Sequence, residues 1–193
     1  MTAFRYIAVS HLFAAELFSK LCGEIEIAAV DLDTGGRDWN AARNHMSFAM
    51  GSIVSSVAFL EGTINELFST ASESAFGVGL SDETTKRLAA VWNIEQIRQK
   101  TRILDKYQLA LELAGKDLFN KGSMPYQDAK LVIEVRNALV HYVPDPIPDD
   151  SLPNGADPVE PLEKKLSGKF ALNPFRTTMR VGHGLVHGPT HWS

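Results

Sequence analysis

The stretch Leu131-Val-Ile-Glu-Val-Arg136-Asn-Ala-Leu-Val-His141-Tyr-Val143 decides how the chain is read. Wound at about 100° per residue, Leu131, Val132, Val135, Ala138, Leu139, Tyr142 and Val143 share one wide apolar arc. The opposite arc holds Arg136, Val140, Ile133, Asn137 and His141, in that angular order. A helix facing solvent carries Lys and Glu there. Two branched aliphatics set among Arg, Asn and His predict a helix covered on both sides. One side packs into its own bundle. The other calls for a second partner, of which a symmetric copy of the chain is the simplest kind.

The rest of the chain up to residue 143 is read as helix too. Pro125 suits the first turn of the helix just described, which must end before Pro144. Upstream, a helical region begins at the capping residues Ser81 or Asp82, runs with room for a break to about Leu113, and is closed by Gly115. Before it, a long helix from about Asp38 to Ala75 carries Ile53, Val57, Leu60, Ile64, Leu67 and Phe68 at spacings of three and four. Gly51 and Gly62 inside it mark close helix–helix approach, and Gly77 and Gly79 end it. The first helix places Phe4, Ile7, Leu12, Leu17 and Leu21 at helical intervals and ends near Ala29, before a turn over Asp31–Gly36. No segment alternates with period two and none repeats. The expectation is an all-α antiparallel bundle of four to five helices over residues 1–143.

Residues 144–193 differ in composition. Between Val143 and Pro161 the chain has six prolines and five acidic residues and no Lys or Arg, which predicts an extended connector. A short helix over Pro161–Leu166 is expected, then an irregular segment rich in Gly, His and Thr packing on or beside the bundle.

Composition narrows the function classes. With 193 residues, 45% hydrophobic and 22% charged, the chain can bury a core without disulfides or a structural metal. Its one cysteine, Cys22, excludes a disulfide framework and a Cys-based zinc site, and fits a reducing cytoplasm. The net charge of −4 argues against a surface that is basic throughout, while leaving room for a local basic patch. No uninterrupted apolar run approaches the roughly 18 residues that span a bilayer, so no membrane association is expected. No nucleophile elbow and no phosphate-binding glycine loop occurs.

Arg136 and His141 are the residues with chemistry to offer. They lie about 140° apart on their helix. A two-fold axis would gather two arginines and two histidines around one cleft. Histidine exchanges protons near neutral pH, and an arginine fork holds a phosphate and the charge developing on it. Neither requires a metal or another cofactor.

Arg136-Asn-Ala-Leu-Val-His141 resembles the R-x4-6-H signature of HEPN domains, in the form where Asn follows Arg. Ala58-Phe-Leu-Glu61-Gly-Thr-Ile-Asn65-Glu-Leu67 is similar to the helix that carries a buried Glu and Asn in many such proteins. The resemblance covers roughly residues 40–143. It implies a dimeric bundle of four to five helices and a metal-independent endoribonuclease. The implied settings are toxin–antitoxin or phage-defence systems, with a cognate antitoxin as a further partner. Arg136 and His141 would be the catalytic pair, and Asn137 would orient the backbone or the phosphate. Glu61 and Asn65 would support them, with Arg136 as the cation a buried Glu61 needs. Two departures stand out. Val143 holds the place of the tyrosine found two residues after the histidine in toxins modified by a nucleotidyltransferase antitoxin, and Val181–His191, where many similar chains continue into another helix, does not read as one.

Competing readings stay open at several positions. Arg136 and His141 also fit a non-catalytic interaction or nucleotide-binding module with the same fold and the same dimer. Lys86, Arg87, Arg98, Lys100, Arg102 and Lys106, set beside Glu95 and Asp105, either track an RNA backbone, with Arg98, Lys100 and Arg102 as the contacts, or form a solvated helix face. His183, His187 and His191 recur every four residues, but the glycines and proline among them oppose the helix a zinc site there would need.

Overall fold

A computed structural model describes residues 7–31, 39–73 and 79–141. The turn at Asp31–Gly36, the connector after Val143, the helix expected at Pro161–Leu166 and the histidines of the tail fall largely or wholly outside the described residues. Those that are described form six α-helices and no strand: α1 (Ala8–Asp31), α2 (Trp39–Glu73), α3 (Asp82–Trp92), α4 (Glu95–Lys100), α5 (Ile103–Leu113) and α6 (Tyr126–Val140). The helical region expected from Ser81 to Leu113 is therefore three helices.

The expected apolar stripe makes α2 the centre of the molecule. Ile53, Val57, Leu60, Ile64 and Phe68 are fully or almost fully buried, and α1, α3, α5 and α6 all pack on this helix. Burying each of these side chains contributes roughly 1.5–3 kcal/mol. Thirty-five residues give α2 a length of about 52 Å at 1.5 Å per residue, long enough to receive all four partners. No Asp, Glu, Lys or Arg occurs between Arg43 and Glu61. By length and composition α2 thus has the properties of a bilayer-spanning helix, although half of its most apolar window is buried in the protein. Serines and glycines interrupt its apolar residues, and a core helix of this length passes the same test.

α1 runs antiparallel to α2, and its inner face is not the one its large residues suggested. Ala8, Ala15, Ser19 and Cys22 are buried, whereas Ile7, Phe13 and Leu17 are exposed. The reason is proximity. A Cβ on Gly62 would stand 3.1 Å from the Ala8 Cβ, and one on Gly51 would stand 2.9 Å from the Phe18 ring. At Gly62 only a small side chain such as that of Ala8 fits, and at Gly51 the missing Cβ makes room for the Phe18 ring. Ser52 Oγ donates to the Ala15 carbonyl across the seam, and His45 Nε2 lies 2.7 Å from Glu26 Oε1 near its far end.

The connections are fixed by caps and side chains. Ser81 caps α3 by accepting from the Thr84 N–H. Gly115, at φ +64°, lets the Gly115 and Lys116 amides turn back onto the Glu112 and Leu111 carbonyls and ends α5. Buried Gln108 donates to the Phe119 carbonyl and accepts from its N–H, which ties the following loop to α5. Pro125 precedes the first residue of α6 rather than occupying it.

The orientation of α6 differs from expectation. Ala129 and Val132 are buried, and Ile133, Val135 and Leu139 pack against the core with them. Leu131 is 44% exposed. Ile133, expected to face a second copy, packs between the two apolar clusters inside the chain. The helix is thus turned by several tens of degrees from the arc read off the sequence, and Arg136 faces the bundle.

Candidate functional site at the α2, α5 and α6 junction

Glu61 and Asn65 stand one turn apart on the side of α2 that meets α5 and α6. Arg136, near the end of α6, reaches Glu61 with Nη2 3.6 Å from Oε2. At that distance the contact is an ion pair rather than a hydrogen bond. The Arg136 side chain is mostly covered, and that of Glu61 is half exposed. Glu61 is therefore not the buried carboxylate that the sequence implied. Its backbone lies in the middle of α2, but its side chain leaves the core at the groove between helices.

Asn65 does not touch Arg136 in the described contacts. Its Oδ1 accepts from Lys106 Nζ at 2.8 Å. Lys106, expected on the basic surface, is only 4% exposed. Its ammonium also donates to the Arg98 carbonyl at 2.9 Å and lies 5.5 Å from the centre of the Trp92 ring. Trp92 in turn stacks on Phe68. Burial pushes the Lys106 pKa below its ordinary value, with the nearby Glu61 charge opposing. Next along α5, Tyr107 is fully buried, donates to the Leu60 carbonyl at 2.9 Å, and has its hydroxyl pKa raised by that burial. Lys106 is the residue that sequence reasoning missed. The available signal was its place one turn before Ala110 and two before Leu113, along the flank of the buried face of α5.

His141 stands at the C-terminal cap of α6, exposed, with its N–H on the Asn137 carbonyl at 2.9 Å. Asn137 is exposed as well. Arg136 points into the α2 groove while Asn137 and His141 face outward, so a single chain does not bring the arginine and histidine together. Arg98, Lys100 and Arg102 are exposed and form no ion pair among the described residues. Nor do any three His, Cys, Asp or Glu side chains among the described residues gather where they could hold a metal ion.

The arrangement has three chemical parts. Two cations, Arg136 and Lys106, flank one carboxylate. An exposed imidazole ends the helix that bears the arginine. A short basic segment, Arg98–Arg102, follows the carbonyl that Lys106 holds. Compared with family models, curated proteins and solved structures, the chain gives no match.

Proposed function

We propose that the chain is a HEPN-like bundle that cleaves RNA as a metal-independent endoribonuclease, with Arg136 and His141 as the catalytic pair of a homodimer. In this reading α1, α2, α5 and α6 are the main antiparallel helices. The observation that carries the proposal is the Arg136–Glu61 contact, which sets the arginine at a groove on the helix that ends in exposed His141.

Because Arg136 and His141 lie on different sides of α6, the site is composite. The outward face of Leu131, Asn137, Ala138, Val140 and His141 is the surface a second copy would cover. One histidine takes the 2′-hydroxyl proton while that oxygen bonds to the adjacent phosphorus. The bond from phosphorus to the 5′-oxygen breaks, and a protonated histidine of the pair supplies the leaving oxygen with its proton. The products are a 2′,3′-cyclic phosphate and a 5′-hydroxyl. Arg136 stabilises the phosphoryl charge that develops, and Asn137 orients the backbone or the phosphate. A toxin–antitoxin or phage-defence setting in the cytoplasm, with a cognate antitoxin, belongs to the same proposal.

One observation favours a second reading. Arg136 is already paired and mostly covered, as in a helix whose arginine holds the fold together. The chain would then be a non-catalytic dimeric interaction or nucleotide-binding module. Incubation of the purified protein with mixed RNAs, with and without a chelator, separates the two. Cleavage that survives the chelator supports the ribonuclease. Normal dimerisation without cleavage supports the module.

A further inference from the structure

α4 is a six-residue helix with no buried residue and no side-chain cap at its N-terminus. Its own side chains hold it weakly: Ile97 is only partly buried, and Thr101 Oγ1 donates to the Gln96 carbonyl. The link is Lys106. Arg98 lies in the last turn of α4, where carbonyls lack helical partners, and its carbonyl accepts from the buried Lys106 ammonium. The same ammonium is bonded to Asn65 on α2, one turn from Glu61, and Glu61 is paired with Arg136. Lys106 thus ties the backbone of α4 to α2, and one turn away on α2 Glu61 is paired with α6. After Lys100 the backbone becomes extended through Thr101 and Arg102, so Arg98, Lys100 and Arg102 line one short exposed segment. Residues 94–106 include no aromatic, and such a surface offers charge without base stacking.

We propose that Lys106 is a positioning residue: its buried ammonium fixes the Arg98–Arg102 segment against Asn65, making that segment a docking surface for the phosphate backbone of RNA. The inference rests on the RNA reading above and deepens it. It assigns the buried lysine a role distinct from that of its exposed neighbours, which touch the phosphates while Lys106 does not. Recognition by this surface is indifferent to sequence and sensitive to salt.

The test has two arms. In the first, amide exchange is followed in the free full-length protein. Lys106→Met should speed exchange across residues 95–101 at least tenfold while the core of α2 keeps its protection. Unchanged exchange there overturns the positioning role. In the second, anisotropy of a labelled 20-nucleotide polyuridine measures affinity between 50 and 200 mM salt. Lys106→Met, with all three exposed cations still present, should weaken binding about tenfold. The combined Arg98→Ala, Lys100→Ala and Arg102→Ala variant should lower the slope of log affinity against log salt by about 2, at 0.7 per phosphate contact. Wild-type affinity in Lys106→Met, or an unchanged slope in the triple variant, overturns the docking surface. If polyglutamate binds as tightly as polyuridine and loses affinity equally in the triple variant, the RNA assignment is overturned. If the wild-type protein binds no RNA, the RNA reading falls while the exchange arm still judges Lys106. If Lys106→Met does not fold, Lys106→Gln, which keeps a donor for one acceptor, carries both arms.

Discussion

Arg136 and Glu61 meet 3.6 Å apart across the α2–α6 groove, with the arginine largely covered and the carboxylate half in water. Water screens such a pair, so Glu61→Gln should change stability by no more than about 1 kcal/mol. Arg136→Ala should cost more, about 1–2 kcal/mol, because the arginine stem packs against the bundle as well as carrying charge. Urea denaturation of both variants checks the order. A larger loss from Glu61→Gln than from Arg136→Ala would contradict the geometry.

His141 is exposed at the end of its helix, and its side chain supports nothing in the described contacts. His141→Ala should leave the melting temperature unchanged and lower RNA cleavage by about 10²- to 10⁴-fold, the range of general acid–base catalysis. Arg136→Ala should lose activity too, and chelators should have no effect on the wild type. Light scattering should give about twice the chain mass of 21.2 kDa. A requirement for added divalent metal would defeat the mechanism.

Two glycines should respond in opposite ways to alanine. A Cβ at Gly23 in α1 meets nothing within 4 Å, so Gly23→Ala should add about 0.5–1 kcal/mol through helix propensity. A Cβ at Gly51 would press on the Phe18 ring, which packs against Phe48 and would have to shift. Overpacking costs about 1–3 kcal/mol, so Gly51→Ala should be destabilising despite the same gain in propensity. Thermal melts of the two variants in parallel decide the matter.

Lys106 and Tyr107 should shape the alkaline stability profile with opposite signs. Folding lowers the Lys106 pKa, so the native protein releases that proton before the unfolded chain does. Stability linked to Lys106 therefore rises with pH from its folded pKa up to the ordinary lysine value of 10.5. Folding raises the Tyr107 pKa, so its contribution is intact below the ordinary value of 10.0 and is lost as pH climbs above it. Relative to Lys106→Met, the wild type should gain stability as pH increases toward 10. Relative to Tyr107→Phe, it should lose stability beyond pH 10. Denaturation series from pH 7 to 10.5 give both differences.

Cys22 is fully buried, its Sγ lies 3.5 Å from the His45 carbonyl, and burial with the Glu26 charge raises its pKa to about 11. A disulfide reagent at pH 8 should leave the native thiol untouched and react with one thiol per chain in denaturant. Fast reaction of the native protein would mean that the α1–α2 seam opens readily.

How far the sequence could be read depended on what each helix packs against. The stripe of α2 was legible because large apolar residues at helical spacing leave that helix one way to face its partners. α1 was only partly legible: Leu12 packs on the core as expected, but the fully buried positions are Ala8, Ala15, Ser19 and Cys22, while Leu17 and Phe13 are exposed. On α6, apolar residues occur on most of the circumference, so periodicity alone left the rotation open. Ala129 and Val132 facing α2 set it and carried Arg136 inward. The pairing of Glu61 with Arg136 came from the resemblance and assumed a buried carboxylate; the two do meet, but the Glu61 side chain is half exposed. Lys106 could not be placed from sequence, because a lysine beside three other cations reads as surface until its two acceptors, Asn65 and the Arg98 carbonyl, are known.

The antiparallel seam between α1 and α2 also implies an order of assembly. Its contacts range from Glu26 with His45, 19 residues apart in sequence, to the Ala8 amide on Glu66, 58 residues apart. Closing a loop costs more entropy the longer it is, though the cost grows only logarithmically. The seam is therefore cheapest to start at the Glu26 end and is completed at Ala8. There the fit of Ala8 over Gly62 and the hydrogen bond to Glu66 close the hairpin. Ala8 also belongs to the main apolar cluster with Leu60 and Ile64, so the end that closes over the longest loop is the end that joins the hairpin to the core.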